Sequence, residues 1–398
     1  MLERCNWLTH LPLLGRRIHI AGAIDKKLDT AATSDVEQAR HFVSGLVIDL
    51  LKAGATFVVP VDANPLRSGD GLPICFDWLI HETISHNLHS RPREITRLAG
   101  IPLIIAVQHR KTEGQIPAEY VDLWDQLRVS DQVYIENANQ WNMNSKRLEM
   151  QAAHGDILVT LGGDEGVLYL ANLYHDAGKP VIPLNFPIID ERKGSRQLFD
   201  LALIPQYSEH FFQIEDGSRA HGQINRINFS ARHDTAARVE AVMDLLRNIE
   251  RPTVFGIRLL NDTHPKFQEV DDYFESVVRP VVEEFFRAKL VIVDGKSSEE
   301  SNINLEIFKK LHRSNVVIAD MTGERPNNFI ELGYGLGRGH RVMVTAQDGT
   351  TLPFDTQPVP TRFWNPSSKV ADKKKELLEY LQANATRRRI VEPNPLVP

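Results

Sequence analysis

Between Val316 and Gly339 the chain spells out a complete strand, loop and helix, and the rest of the fold has to accommodate that unit. Val316-Val317-Ile318-Ala319 is a short apolar, mostly β-branched run, the pattern of a parallel strand buried on both faces. Asp320 stands where such a strand ends. The polar residues that follow include Gly323 and Pro326 and mark a loop. Asn328 can then cap a helix with Glu331 in its first turn, and Arg341 to Thr345 predicts the next strand. Ligands of such sheets bind in the crevice beyond the carboxyl ends of the strands. Asp320, Asn327, Asn328 and Glu331 are therefore the candidate site residues here. Glu331 also has a structural reading, because three residues after Asn328 is the spacing of a capping box. Gly333, Gly335, Gly337 and Gly339 run through the helix and out of its end, so they are not a dinucleotide fingerprint, which opens a helix. Close packing of the helix and a glycine stop account for them better.

The same alternation fills the front of the chain. Strands are expected near residues 17–21, 56–61, 103–107, 132–135, 156–161 and 181–184, with Gly22 as a turn after the first. Between them fall a helix from Ser34 to Ala53, opened by a Ser34/Glu37 capping box, and helices from Ile74, from Ala118 and up to Ala177. Residues 190–228 suggest loops with short elements, and residues 233–249 an amphipathic helix. Arg251-Pro252 marks the expected boundary, giving domains 1–250 and 251–398. The rear domain repeats the plan, with a long helix from Phe267 to Phe286 that Pro280 should kink. Both domains are thus expected to be α/β, Rossmann-like, with parallel doubly wound sheets.

A second chemical candidate follows the fifth strand. In Gly162-Gly163-Asp164-Glu165-Gly166, two glycines let backbone amides approach a ligand, and the next helix offers its N-terminus. Asp164 and Glu165 argue against a bare phosphate and could hold ribose hydroxyls, or simply cap the helix. With Gly22 these residues form the front candidate site.

Composition excludes several classes. Net charge is −6, with 21 basic and 20 acidic residues from Arg251 onward, so neither half has the basic surface that nucleic-acid binding needs. Only Cys5 and Cys75 are present, which rules out a disulfide framework or thiolate zinc site and fits a reducing cytoplasm. The 15 histidines fall in no metal-ligand spacing, no apolar run approaches a membrane span, and residues 1–10 lack a signal-peptide core.

The rear stretch resembles the nucleotide-binding TIR-like domains related to nucleoside 2-deoxyribosyltransferases. Their pattern, Asp-Leu-Thr-Gly-x-x-Pro-Asn-x-x-x-Glu-Leu-Gly-Tyr, is matched by Asp320-Met321-Thr322-Gly323, Pro326-Asn327 and Glu331-Leu332-Gly333-Tyr334. Leu352-Pro353-Phe354-Asp355 matches a turn of the same group, whereas Asn261 to Pro265 is longer than its usual turn after the first strand. The resemblance implies a flavodoxin-like sheet and a catalytic Glu331 cleaving a bond between ribose and base. It also implies Asp320 on a ribose hydroxyl and amide hydrogen bonds from Asn327 and Asn328. Residues 17–212 resemble the SLOG superfamily of Rossmann-like nucleotide-binding domains, above all the variant found beside TIR-type effectors in bacterial anti-phage defence. Related phosphoribohydrolases carry Pro-Gly-Gly-x-Gly-Thr-x-x-Glu, and here Tyr169 stands at the place of that Glu, which points to sensing over hydrolysis. The combined expectation is a cytoplasmic effector that self-assembles on binding a nucleotide-type signal. It would cleave NAD as substrate, with no cofactor, metal, membrane or nucleic-acid partner. Rivals are a deoxyribosyltransferase or nucleoside hydrolase, and a catalytically silent sensor.

Overall fold

In the computed structural model, the described residues are 11, 13–92, 95, 102–109, 114–138, 143–230, 233–286, 288–293, 303–314, 316–353 and 359–384. Cys5, the Phe354-Asp355 half of the rear turn and the arginine-containing tail lie outside them. The chain divides into two compact units, a front one extending to Glu250 and a rear one from Arg251.

The front unit holds six strands: β1 (Arg17–Ala23), β2 (Thr56–Val61), β3 (Ile104–Gln108), β4 (Val133–Asn137), β5 (Ile157–Gly162) and β6 (Val181–Leu184). All neighbours are parallel, in the order β4-β3-β2-β1-β5-β6. Because β2, β3, β5 and β6 are buried along their whole length, their sequences are apolar runs instead of alternations. Helices cover both faces, and the helix Thr33–Lys52 alone buries eight side chains. The strand order reverses between β1 and β5, which makes their carboxyl ends the switch point where ligands bind in open α/β sheets.

The rear unit holds β7 (Thr253–Ile257), β8 (Lys289–Val291), β9 (Val316–Asp320), β10 (Arg341–Gln347) and β11 (Thr361–Trp364). They too are parallel, ordered β11-β10-β9-β7-β8. Renumbered within the unit this is 2-1-3-4-5, the flavodoxin-like order, with its switch point between β7 and β9.

Several expectations change. Gly22 is not a turn: it lies inside β1, paired with Leu161 of β5. A Cβ on it would come within 1.8 Å of the Leu161 carbonyl oxygen, so the close strand approach admits only glycine. Gly22→Ala is expected to cost about 3 kcal/mol or more, read as a drop in the urea midpoint. The Ser34/Glu37 capping box does not form, because the helix begins at Thr33 after Ala32, with no side-chain cap. Thr33 instead donates from Oγ1 to Asp70 at 2.8 Å. The segment 190–228 holds helices Gly194–Ala202, Pro205–Ser208 and Ala220–Arg226, and a further helix, Met143–His154, precedes β5. In the rear unit the run from Phe267 passes Pro280 with widened, π-type turns over Phe274–Val278 and Val281–Phe285, which accommodate the missing proline N–H.

Candidate functional site

The rear site is built on the β9 end and the helix Pro326–Gly337. Pro326 occupies the first helical turn, where its missing N–H costs nothing, so the helix starts before Asn328. Arg325 is the N-cap and makes no side-chain cap bond. The capping-box reading of Glu331 therefore fails, since Glu331 lies beyond the first turn. At the far end Gly339 adopts φ 69°, with Gly339 N donating to Leu336 O at 2.9 Å and His340 N to Gly335 O at 3.0 Å. That is a Schellman stop. Of the helix glycines only Gly335 is buried against the sheet, near Val317 and Val342, while Gly333 and Gly337 face open space.

Asp320 and Glu331 have opposite surroundings. Asp320 is fully buried. Its Oδ1 accepts from Thr322 N at 3.0 Å, and its Oδ2 accepts from Thr345 Oγ1 and Trp364 Nε1, both at 2.8 Å. Burial still pushes this carboxyl above its ordinary pKa, opposed by those hydrogen bonds. Asn328 is 5% exposed and donates to the Asp320 carbonyl at 3.3 Å. The expected ribose contact of Asp320 thus needs correction: its oxygens are spent binding β9 to β10 and β11. Asn328 likewise points into the protein, and Asn327 is exposed at the start of the helix.

Glu331 is half-buried and has no hydrogen-bond or ion-pair partner among the described residues. Desolvation alone raises its carboxyl to about 7. It lies one residue before the sheet-facing Leu332 and three before Tyr334, whose ring packs on Phe308 and whose hydroxyl meets His312 Nδ1 at 2.9 Å. Residues three apart share a helix flank, so Glu331 opens on the side of the helix Ile303–Arg313, one turn nearer the carboxyl edge. Above that edge the loop after β7 folds back: a Cβ on Gly323 would come within 3.3 Å of the His264 ring. The longer Asn261–Pro265 turn so brings His264 against the β9 loop, a neighbour that sequence reading did not single out.

In the front unit, Gly162 and Gly163 both take left-handed φ, 67° and 77°, and Gly163 N donates to Ala23 O at 2.6 Å. Gly194, at φ 48°, packs so closely that a Cβ would lie 2.1 Å from the Gly163 carbonyl oxygen. Beside it, Ser195 donates from Oγ to Thr160 O at 2.8 Å. Asp164 precedes the helix Glu165–Asp176 without capping it by its side chain, and pairs with Lys193 at 3.3 Å. Asp164 and Glu165 remain exposed at the switch point, whereas Gly22 is consumed by strand pairing. Gly194 and Ser195 were missed because a single Gly-Ser in a polar stretch carries little signal. Tyr169 is 40% exposed on the helix surface.

No group of three or more His, Cys, Asp or Glu positioned for a metal occurs among the described residues, and no described helix is long and apolar enough to cross a membrane.

Two all-parallel sheets, each with its own switch point, define a doubly wound, Rossmann-like α/β protein. The chain belongs to the Cap17-like ATP nucleosidase N-terminal family, which matches residues 13–246 and so spans the front unit. Nucleosidases break N-glycosidic bonds, and the family places this chain in that reaction class on a nucleotide substrate. No curated protein matches the chain.

Proposed function

We propose that the chain is a nucleotide-responsive effector in anti-phage defence, whose TIR-like rear unit cleaves the N-glycosidic bond of NAD through Glu331. The observation that carries this reading is the state of Glu331: a desolvated, unpartnered carboxyl titrating near neutral pH beside a switch-point crevice. Ionised, it can attack the anomeric carbon or stabilise an oxocarbenium-like ribose as nicotinamide departs. The SLOG-like front unit binds the nucleotide signal at Gly162 to Glu165, and binding shifts the chain toward a self-assembled active state. A ligand achieves this only through its differential affinity for the two states.

A second reading, favoured by the family match, makes ATP the substrate, with adenine as the released base. Incubating the full chain with NAD, ATP and deoxynucleosides and resolving the products by chromatography separates the readings. Nicotinamide release supports the first, adenine release from ATP the second, and free base from deoxynucleosides the transferase or hydrolase rival. Silence toward all of them, with nucleotide signals added, would overturn both readings. Light scattering over the same mixtures is expected to show a rise in mass only where turnover appears.

A further inference from the structure

We infer that His264 holds the ribose of the substrate in the rear unit, its Nε2–H donating to a ribose hydroxyl and so keeping the anomeric carbon at Glu331. The inference rests on the Glu331 reading above, and it supplies the ribose contact that the buried Asp320 does not make.

The two walls of the rear crevice come from opposite faces of one sheet. The helix Phe267–Tyr273, which follows β7, packs Val270 and Tyr273 with Val254 and Ile318. The helix Pro326–Gly337, which follows β9, packs Leu332 with Phe255, Ile257 and Val317. Successive strand residues point to opposite faces, so the loop carrying His264 and the helix carrying Glu331 stand on either side of the β7–β9 switch point. The His264 ring meets the loop after β9: its Cε1 and Nε2 would each lie 3.3 Å from a Cβ on Gly323. Gly323, at φ 84°, has no side chain to hold the ring off, and the helix with Glu331 begins at Pro326, three residues on. The fully buried Leu259 closes the same spot from β7, with Cδ2 3.4 Å from that Cβ position.

The ring is fixed before any ligand arrives. His264 N donates to Asn261 O at 3.1 Å, and Phe267 N donates to His264 O at 2.9 Å. Asn261 Oδ1 in turn accepts from Thr263 Oγ1 at 2.9 Å. Arg258, at the end of β7, clamps the two ends of the loop together. Its Nη1 lies 2.6 Å from Asp271 Oδ1, and its guanidinium sits over the rings of Phe267 and Phe274. Lys266 N donates to His264 Nδ1 at 3.1 Å. With Nδ1 accepting, the ring's proton is on Nε2, and that N–H makes no hydrogen bond among the described residues. A held donor without a partner is what a substrate-positioning residue needs, because its orientation costs nothing further on binding. A hydroxyl accepts such a bond. A ribose carries hydroxyls on the two carbons next along from C1′, so a ribose placed with C1′ at Glu331 offers them to the opposite wall.

The test is a cycle between protein and substrate, read as kcat/KM for nicotinamide release by the full chain. The substrates are NAD and its analogues lacking the 2′- or the 3′-hydroxyl of the nicotinamide ribose. His264→Ala is expected to lower kcat/KM for NAD about 10-fold or more. On the analogue that lacks the contacted hydroxyl, the same variant is expected to stay within about twofold of its parent, because the interaction is already gone. His264→Leu keeps bulk in the loop without the N–H and is expected to repeat that pattern. A loss of the same factor on all three substrates, or no loss on NAD, would overturn the inference while leaving Glu331 in place. A parent chain that releases no nicotinamide, with nucleotide signals added, would remove the Glu331 reading and this inference with it.

Discussion

Replacing Glu331 with Gln is expected to lower nicotinamide release from NAD about a thousandfold or more while the melting temperature at pH 8 holds or rises. The argument rests on what the side chain lacks. A folded-state pKa near 7 lies above the ordinary 4.5, so the folded protein holds a proton that the unfolded chain has already lost across that interval. Stability therefore declines as pH rises from about 4.5 to about 7, and above it the ionised Glu331 is a standing cost. Gln keeps the shape and removes that cost, because no partner among the described residues depends on the charge. Thermal melts at pH 5 and pH 8 check the sign: the Gln variant should gain on its parent at pH 8 and match it at pH 5. A variant that melts well below the parent at pH 8 would return Glu331 to a structural role.

Asp320→Asn, eleven positions earlier in the same motif, is expected to do the reverse. Asp320 accepts three hydrogen bonds from Thr322 N, Thr345 Oγ1 and Trp364 Nε1 in a fully buried site. An amide presents two N–H groups where only donors wait, so at least one buried donor loses its acceptor and another faces a second donor. Unsatisfied buried groups cost about 1–3 kcal/mol each, so a loss of roughly 3 kcal/mol follows. In a unit of this size that corresponds to a fall in melting temperature of about 6–12 °C. Trp364 is also stacked on Tyr273 at 4.3 Å, so slackening its indole bond should loosen the packing between β11 and the Phe267–Tyr273 helix. Urea unfolding with Trp fluorescence measures both effects. An Asn variant within about 0.5 kcal/mol of the parent would mean that Asp320 is not the keystone described here.

The contrast between these two carboxylates shows what a sequence can reveal. The strands were legible because burial on both faces writes itself as apolar runs; residues 56–61 and 181–184 were delimited to the residue. The carboxyl-edge position of Asp320, Asn328 and Glu331 followed from the strand–loop–helix order. Which of them faces inward did not, because the partners that bury Asp320 come from 25 and 44 residues away, on strands that only the folded sheet brings alongside. The helix start was misplaced because Asn328 has the better capping side chain, whereas Pro326 needs no cap to begin a helix. Gly22 looked like a turn because glycine after a strand usually is one; the need for it comes from Leu161, again far away in sequence. The Met143–His154 helix escaped notice because its apolar face is narrow, with Leu148 and Ala152 packing on Leu170, Ala171 and Tyr174 of a neighbouring helix. That omission also hid Arg147 and its pairing with Asp62.

The most direct test of the central claim is the pH profile of nicotinamide release from NAD by the parent chain, with Glu331→Gln as its control. If an ionised Glu331 performs the cleavage, kcat/KM should rise through about pH 7 and level off above it, and the Gln chain should show only a low rate without that inflection. A parent profile that stays flat from pH 5 to 8, or a Gln chain that keeps both the rate and the inflection, would contradict it.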